Sequence, residues 1–169
     1  MTIALPDLSA TPEVAQYQDE DTIRAVLHTA RVIAIVGLSS NVLRPSHFVG
    51  FYLQRHGYRI VPVNPRETSV LGEAAYPSLA EIPFPVDVVD VFRAPSAVPE
   101  IAVQAGQIHA NALWLQFGVI SLEGARLASE AGLQVVMDRC LKVEHARHLG
   151  RMHWLGFNTG VVSANRSTG

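Results

Sequence analysis

Val32-Ile33-Ala34-Ile35-Val36 runs without a break into Gly37-Leu38-Ser39-Ser40-Asn41-Val42-Leu43-Arg44-Pro45-Ser46. Five apolar residues in a row have the length and pattern of a strand buried on both faces. The small-residue turn leads to Pro45, which suits the first turn of a helix. Val49, Tyr52, Leu53 and His56 then share one helical face, and Gly57 stands where a helix stops. Strand, turn, helix is the opening of a parallel crossover unit.

The neighbouring sequence repeats this grammar. Upstream, Ile23, Val26, Leu27 and Ala30 recur at helical spacing behind acidic Asp19, Glu20 and Asp21, so a helix is expected over residues 21–30. Downstream, four more apolar runs have strand length: residues 58–63, 86–92, 112–116 and 133–137. Helical patterns separate most of them. One carries Ile101, Ala102 and Ala105, one is capped by Ser121 and stopped by Gly132, and a last one covers residues 141–149. The link over residues 64–85 differs: its prolines predict a long loop with one helical turn near residues 78–81. The expectation is an α/β fold, a Rossmann-like doubly wound parallel sheet of five strands in the order 3-2-1-4-5 with helices on both faces. An irregular segment over residues 1–18 precedes the domain at 19–149, and a tail over 150–169 follows it.

Composition narrows the function classes. The chain has 169 residues, 49% hydrophobic and 17% charged, enough apolar material for one sizeable core and against disorder. Thirteen Lys and Arg against fifteen Asp and Glu leave a net charge of -2, so no overall field points to nucleic acid or a membrane surface. The longest apolar run, residues 32–38, falls far short of the roughly 18 residues of a membrane span. No signal segment opens the sequence, and Cys140 alone excludes an intrachain disulfide or a four-cysteine zinc site, so a cytoplasmic location is expected.

Ligands of open α/β sheets bind beyond the carboxyl ends of the strands. After the first strand, Gly37 to Asn41 offers backbone N–H groups to a diphosphate, Ser39, Ser40 and Ser46 add hydroxyls, and Arg44 adds charge. A single glycine makes this neither a G-x-G-x-x-G fingerprint nor a P-loop. The second strand ends in Asn64-Pro65-Arg66, where an NAD enzyme places a carboxylate on the ribose. A neutral amide followed by a guanidinium suits a phosphorylated ribose, as in NADP or coenzyme A; charge alone does not separate the two. The third strand ends in Phe92-Arg93, an aromatic surface and a phosphate partner or a core residue and its solvated cap. The fourth ends in Gln116-Phe117-Gly118, an amide and an unhindered backbone.

Taken together, Ile35-Val36-Gly37-Leu38-Ser39, Arg44-Pro45-Ser46, residues 57–65, Leu71-Gly72, residues 86–93, residues 114–119 and Val136-Met137-Asp138-Arg139-Cys140 resemble the small bacterial and archaeal CoA-binding proteins. The resemblance spans about residues 22–149. That family is similar to the N-terminal CoA-binding domain of the succinyl-CoA synthetase alpha subunit and of NDP-forming acyl-CoA synthetases. It implies that the turn at Gly37, Leu38, Ser39, Ser40 and Asn41, with Arg44, Pro45 and Ser46, holds the CoA diphosphate. Asn64, Pro65 and Arg66 would border the adenosine and its 3′-phosphate, and residues 115–118 would lie along the pantetheine. The synthetases also need a domain bearing a phosphorylated histidine, so their activity is not carried over.

The remaining chemistry-bearing residues read as structural. His145 and His148, with His153 further on, sit among Glu144, Arg147 and Arg151 and read as a solvated polar helix face rather than a zinc site. His47 adjoins the phosphate turn. Cys140 reads as a small buried hydrophobe at a strand-to-helix junction, with a reactive thiol as the lesser alternative. Asp87 and Asp90 fall on opposite faces of one strand and make no acid–base pair. The expectation is a protein that binds coenzyme A or an acyl-CoA with no identifiable catalytic step and no metal: a carrier, sensor or regulatory partner. An NADP-dependent oxidoreductase and a ligand-free adaptor are the alternatives.

Overall fold

The computed structural model describes residues 11–150. The chain begins with α1 (Pro12–Ala15) and α2 (Glu20–Thr29), then β1 (Val32–Val36), α3 (Pro45–Arg55) and β2 (Arg59–Val63). The proline-rich link contains the short antiparallel pair β3 (Ser69–Val70) and β4 (Glu73–Ala74) and a 3-10 turn at Leu79–Glu81. β5 (Val88–Val91), α4 (Val98–Gln107), β6 (Ala112–Leu115), α5 (Leu122–Glu130), β7 (Gln134–Val136) and α6 (Leu141–His145) follow, and a π-turn over Ala146–Gly150 closes the described chain.

The five longer strands form one parallel sheet, in the order β2-β1-β5-β6-β7. Counted along the chain this is 2-1-3-4-5, which corrects the expected 3-2-1-4-5 while keeping the doubly wound parallel class. The reason lies in β2. Tyr76 donates its backbone N–H to Pro62 O and accepts from Asn64 N–H, both at 2.9 Å, along the outer side of the strand. Pro62 therefore turns its backbone outward, where its missing N–H costs no ladder bond to another long strand. A proline in that phase keeps β2 at the edge, and the third sheet strand pairs instead on the far side of β1, with Ile33 opposite Val88 and Ile35 opposite Asp90.

Alternation along the strands divides the core in two. Ile33, Ile35, Ile60, Val88 and Trp114 face α2, α3 and α6, whereas Ala34, Val36, Val61, Val89 and Leu113 face α4 and α5. Trp114 is fully buried, and its indole N–H donates to Arg139 O at 2.8 Å. Asp19 and Ser121 cap α2 and α5 by accepting the N–H groups of Thr22 and Gly124.

Within the stretch expected to be irregular, α1 buries Val14, and Tyr17 and Gln18 bond the backbone of Met137 beside β7. Residues 1–10, the tail from residue 151 and His153 lie outside the described residues. No helix among the described residues is long and apolar enough to cross a membrane.

Candidate functional site

The winding direction reverses between β1 and β5, and the turns beyond these two strands press together. Gly37 has φ +93°, and a Cβ there would stand 2.6 Å from Phe92 O. Glycine is needed twice over, for its dihedral and for the close approach. Gly37 N–H also donates to Val63 O at 2.8 Å, so the turn is fixed to both neighbouring strand ends. The crevice at such a reversal is the usual ligand site of open α/β sheets.

Two cavities open from this point. A polar one of about 520 Å³ is lined by Gly37, Ser39, Arg44, Pro45, Ser46, Asn64, Pro65, Arg66, Glu67, Phe92 and Arg93. An apolar one of about 750 Å³ takes Pro45, Phe92 and Arg93 as a shared wall and continues past Val49, Gln116, Phe117, Val119, Arg139, Cys140, Val143 and Glu144. A chain with a net negative charge thus gathers Arg44, Arg66, Arg93 and Arg139 around one opening. Local arrangement decides this field, and composition does not reveal it.

The polar turn is pinned by its own side chains. Ser39 N–H donates to Ser46 Oγ at 3.1 Å and Asn41 N–H to Ser39 Oγ at 3.0 Å, while His47 Nδ1 bonds Ser39 O. Asn64 braces two turns: its Nδ2 donates to Leu38 O, and its Oδ1 accepts from Arg66 N–H. Glu67 reaches across, and its Oε2 accepts the Ser40 N–H at 2.8 Å. That bond holds its carboxyl below the usual range. A carboxylate of the protein thus sits on an amide of the turn proposed for phosphate.

On the apolar side, Gln116 is buried, and its Oε1 accepts Leu141 N–H at 3.0 Å. Buried Asp138, with φ +59°, accepts Gly118 N–H at 2.7 Å and ties the turn after β6 to the one after β7. Phe117 stands 77% exposed at the rim. α6 forms the far wall and is held to α3 by a hydrogen bond between Tyr52 Oη and His145 Nδ1 at 2.9 Å. Burial pushes the His145 imidazole down to about 4, with a smaller push from His56.

Most of the expected site residues meet around these two cavities. Leu38 does not: its side chain is wholly buried in the core, leaving only its backbone at the turn. Ser40, Asn41 and Gly118 shape turns without lining either cavity. Glu67 and Arg139 were not among the expected site residues, and Cys140, read as a buried hydrophobe, is instead partly exposed and lines the apolar cavity with Glu144. The strand-end rule, applied to the fifth strand, points directly at Arg139 and Cys140. The solvated-face reading of His145 and His148 is overturned, since they are only 5% and 9% exposed. They pack inward because α6 lies against α3 and the π-turn that follows it brings His148 to Glu20 in the first turn of α2.

A profile for a CoA binding domain matches residues 31–146. The chain belongs to that CoA-binding domain family. An uncharacterized protein of Bacillus subtilis, YneT, is 40% identical over 124 residues, 73% of this chain and 92% of its own length. A solved structure of a hypothetical protein from Pyrococcus horikoshii superposes with a TM-score of 0.76 at 35% identity, covering 88% of this chain and all of the other. An ADP-forming acetate–CoA ligase of Archaeoglobus fulgidus is 31% identical over 77 residues, 44% of this chain but only 11% of the ligase. The family membership agrees with the resemblance read from the strand-end motifs.

Proposed function

We propose that this chain binds coenzyme A, or an acyl-CoA, along the carboxyl edge of its sheet. The observation that carries the reading is the two-part cleft: an arginine-lined polar pocket opening past Phe92 and Arg93 into a larger apolar cavity. Coenzyme A has the matching two-part chemistry, a phosphorylated adenosine at one end and a long pantetheine arm at the other. The diphosphate would lie against the Gly37 turn and Arg44, the 3′-phosphate toward Arg66, and the pantetheine along Gln116 and Phe117.

The pantetheine arm, with its gem-dimethyl group and methylene stretches, suits the mainly apolar second cavity better than the charged nicotinamide and hydroxyl-rich ribose of NADP. The lining side chains bind and orient a ligand, which favours a carrier, sensor or regulatory partner operating where coenzyme A is found, in the cytoplasm. Residues 19–149 would form the ligand-binding unit.

Isothermal titration of the full chain with CoA, dephospho-CoA, NADP and NAD tests the proposal. CoA is expected to bind about tenfold or more tighter than dephospho-CoA, as loss of a charge-assisted phosphate contact implies, and NAD not measurably. Binding of NADP without CoA would overturn the reading in favour of an oxidoreductase. Binding of none of the four would leave an adaptor.

A further inference from the structure

Behind the apolar cavity, three side chains converge from separate elements. Glu20 comes from the first turn of α2, Glu144 from α6 and His148 from the π-turn that follows. Their ligating atoms all lie within 4.8 Å of one another. Glu144 and His148 are buried, whereas Glu20 is half-exposed. His148 Nε2 stands 3.3 Å from Glu20 Oε1 and 3.5 Å from Glu144 Oε1, yet it makes no hydrogen bond to either. A buried ring nitrogen left in that condition is costly unless something else satisfies it.

We propose that Glu20, Glu144 and His148 bind a divalent first-row cation of the zinc type. One imidazole and two carboxylates are a donor set that Zn²⁺ accepts, whereas Ca²⁺ and Mg²⁺ require more oxygen ligands. Tetrahedral zinc with ligands at roughly 2.0–2.1 Å has ligand-to-ligand edges of roughly 3.3 Å. The two edges through His148 already have about that length. Half-exposed Glu20 can move to shorten the third, and its open side leaves a coordination position for water.

Arg147 is the competitor. Its Nη1 donates to Glu144 Oε1 at 2.8 Å, and its Nη2 lies 3.7 Å from Glu20 Oε1. That ion pairing accounts for both carboxylates but leaves His148 Nε2 unsatisfied. A cation accounts for all three groups. Arg147 is about half-exposed and can swing into water when the metal arrives. Glu144 also lines the apolar cavity, so the bound cation would pin that wall to α2.

The test is titration of chelator-treated full-length protein with ZnCl₂ and, separately, MgCl₂, read by calorimetry and by thermal melting. One zinc per chain is expected, with a rise in Tm of several degrees that EDTA reverses and no response to magnesium. His148→Ala and Glu20→Gln should each weaken zinc binding on the order of tenfold or more. Arg147→Gln should strengthen it by removing the competing charge. Glu20→Gln lies at the exposed end of the cluster, so it keeps the test decisive if His148→Ala folds poorly. Zinc binding that survives Glu20→Gln, weakens with Arg147→Gln, or is absent altogether would overturn the proposal and leave an ion-pair network.

Discussion

Pro45, Phe92 and Arg93 face both the polar pocket and the apolar cavity, but the two halves of the cleft are held open by different means. The polar half is built from two adjacent turns tied by several bonds, within the turn after β1 (Ser39 to Ser46, Asn41 to Ser39) and between it and the turn after β2 (Asn64 to Leu38, Ser40 to Glu67). The apolar half is built from three strand ends, α3 and the short α6, joined by single bonds such as Gln116 to Leu141, Gly118 to Asp138 and Tyr52 to His145. The first kind of site is cross-braced by several bonds once β1 and β2 lie side by side. The second exists only when distant elements dock, and it is the half that solution conditions can loosen.

The largest expected effect is at the hinge between the halves. Gly37→Ala places a methyl group against Phe92 O at a positive φ, and about 2–5 kcal/mol of stability should be lost through backbone strain and overpacking. Chemical denaturation measures it, and a change under 1 kcal/mol would mean that the close contact relaxes without cost.

Acid should weaken the apolar half selectively. The unfolded chain protonates His145 near 6.5, while the folded chain keeps it neutral down to about 4. Its contribution is intact above pH 6.5 and declines as the pH falls toward 4, by on the order of 3 kcal/mol. Urea melts between pH 7 and 4 should show this slope, and His145→Gln should flatten it.

Arg93→Ala removes the cation common to both halves. CoA affinity should fall on the order of 10- to 100-fold, the scale of one charged hydrogen bond. An unchanged affinity in calorimetry would mean that the two pockets do not share one ligand. Glu67→Gln should do the reverse and more gently. It withdraws a carboxylate from the Ser40 amide, and CoA should bind about two- to fivefold tighter, as expected for an exposed charge. Weaker binding would show that Glu67 instead organises the turn.

The next measurement concerns β5, the strand whose end, at Phe92 and Arg93, reaches both halves of the cleft. Asp90 is fully buried, with no hydrogen-bond partner for either oxygen, and burial raises its carboxyl well above the usual range. A carboxyl whose pKa is raised on folding costs stability as the pH rises above the unfolded value of 3.8. Asp90→Asn should therefore raise the Tm at pH 7 by a few degrees, a shift that differential scanning calorimetry resolves.

The strand runs, the acidic start of α2, the Ser121 cap and the glycine at 37 were legible along the chain, because each depends on neighbours within a few residues. The edge position of β2 rests on Pro62, a local signal that the expected order 3-2-1-4-5 did not use. Glu67 on the Ser40 amide was not legible, since 27 residues separate the partners. Neither was the burial of His145 and His148, because a polar helix reads as solvated until another helix covers it.

The sequence by itself determined the α/β class, the βαβ grammar and the residue types at the strand ends, because periodicity and turn chemistry are local. Only the tertiary structure decided which side of β1 the third sheet strand joins and which arginines share one opening. It also decided that His148 is trapped between two carboxylates. These outcomes depend on how distant segments dock, and docking is settled by packing that no short window of sequence contains.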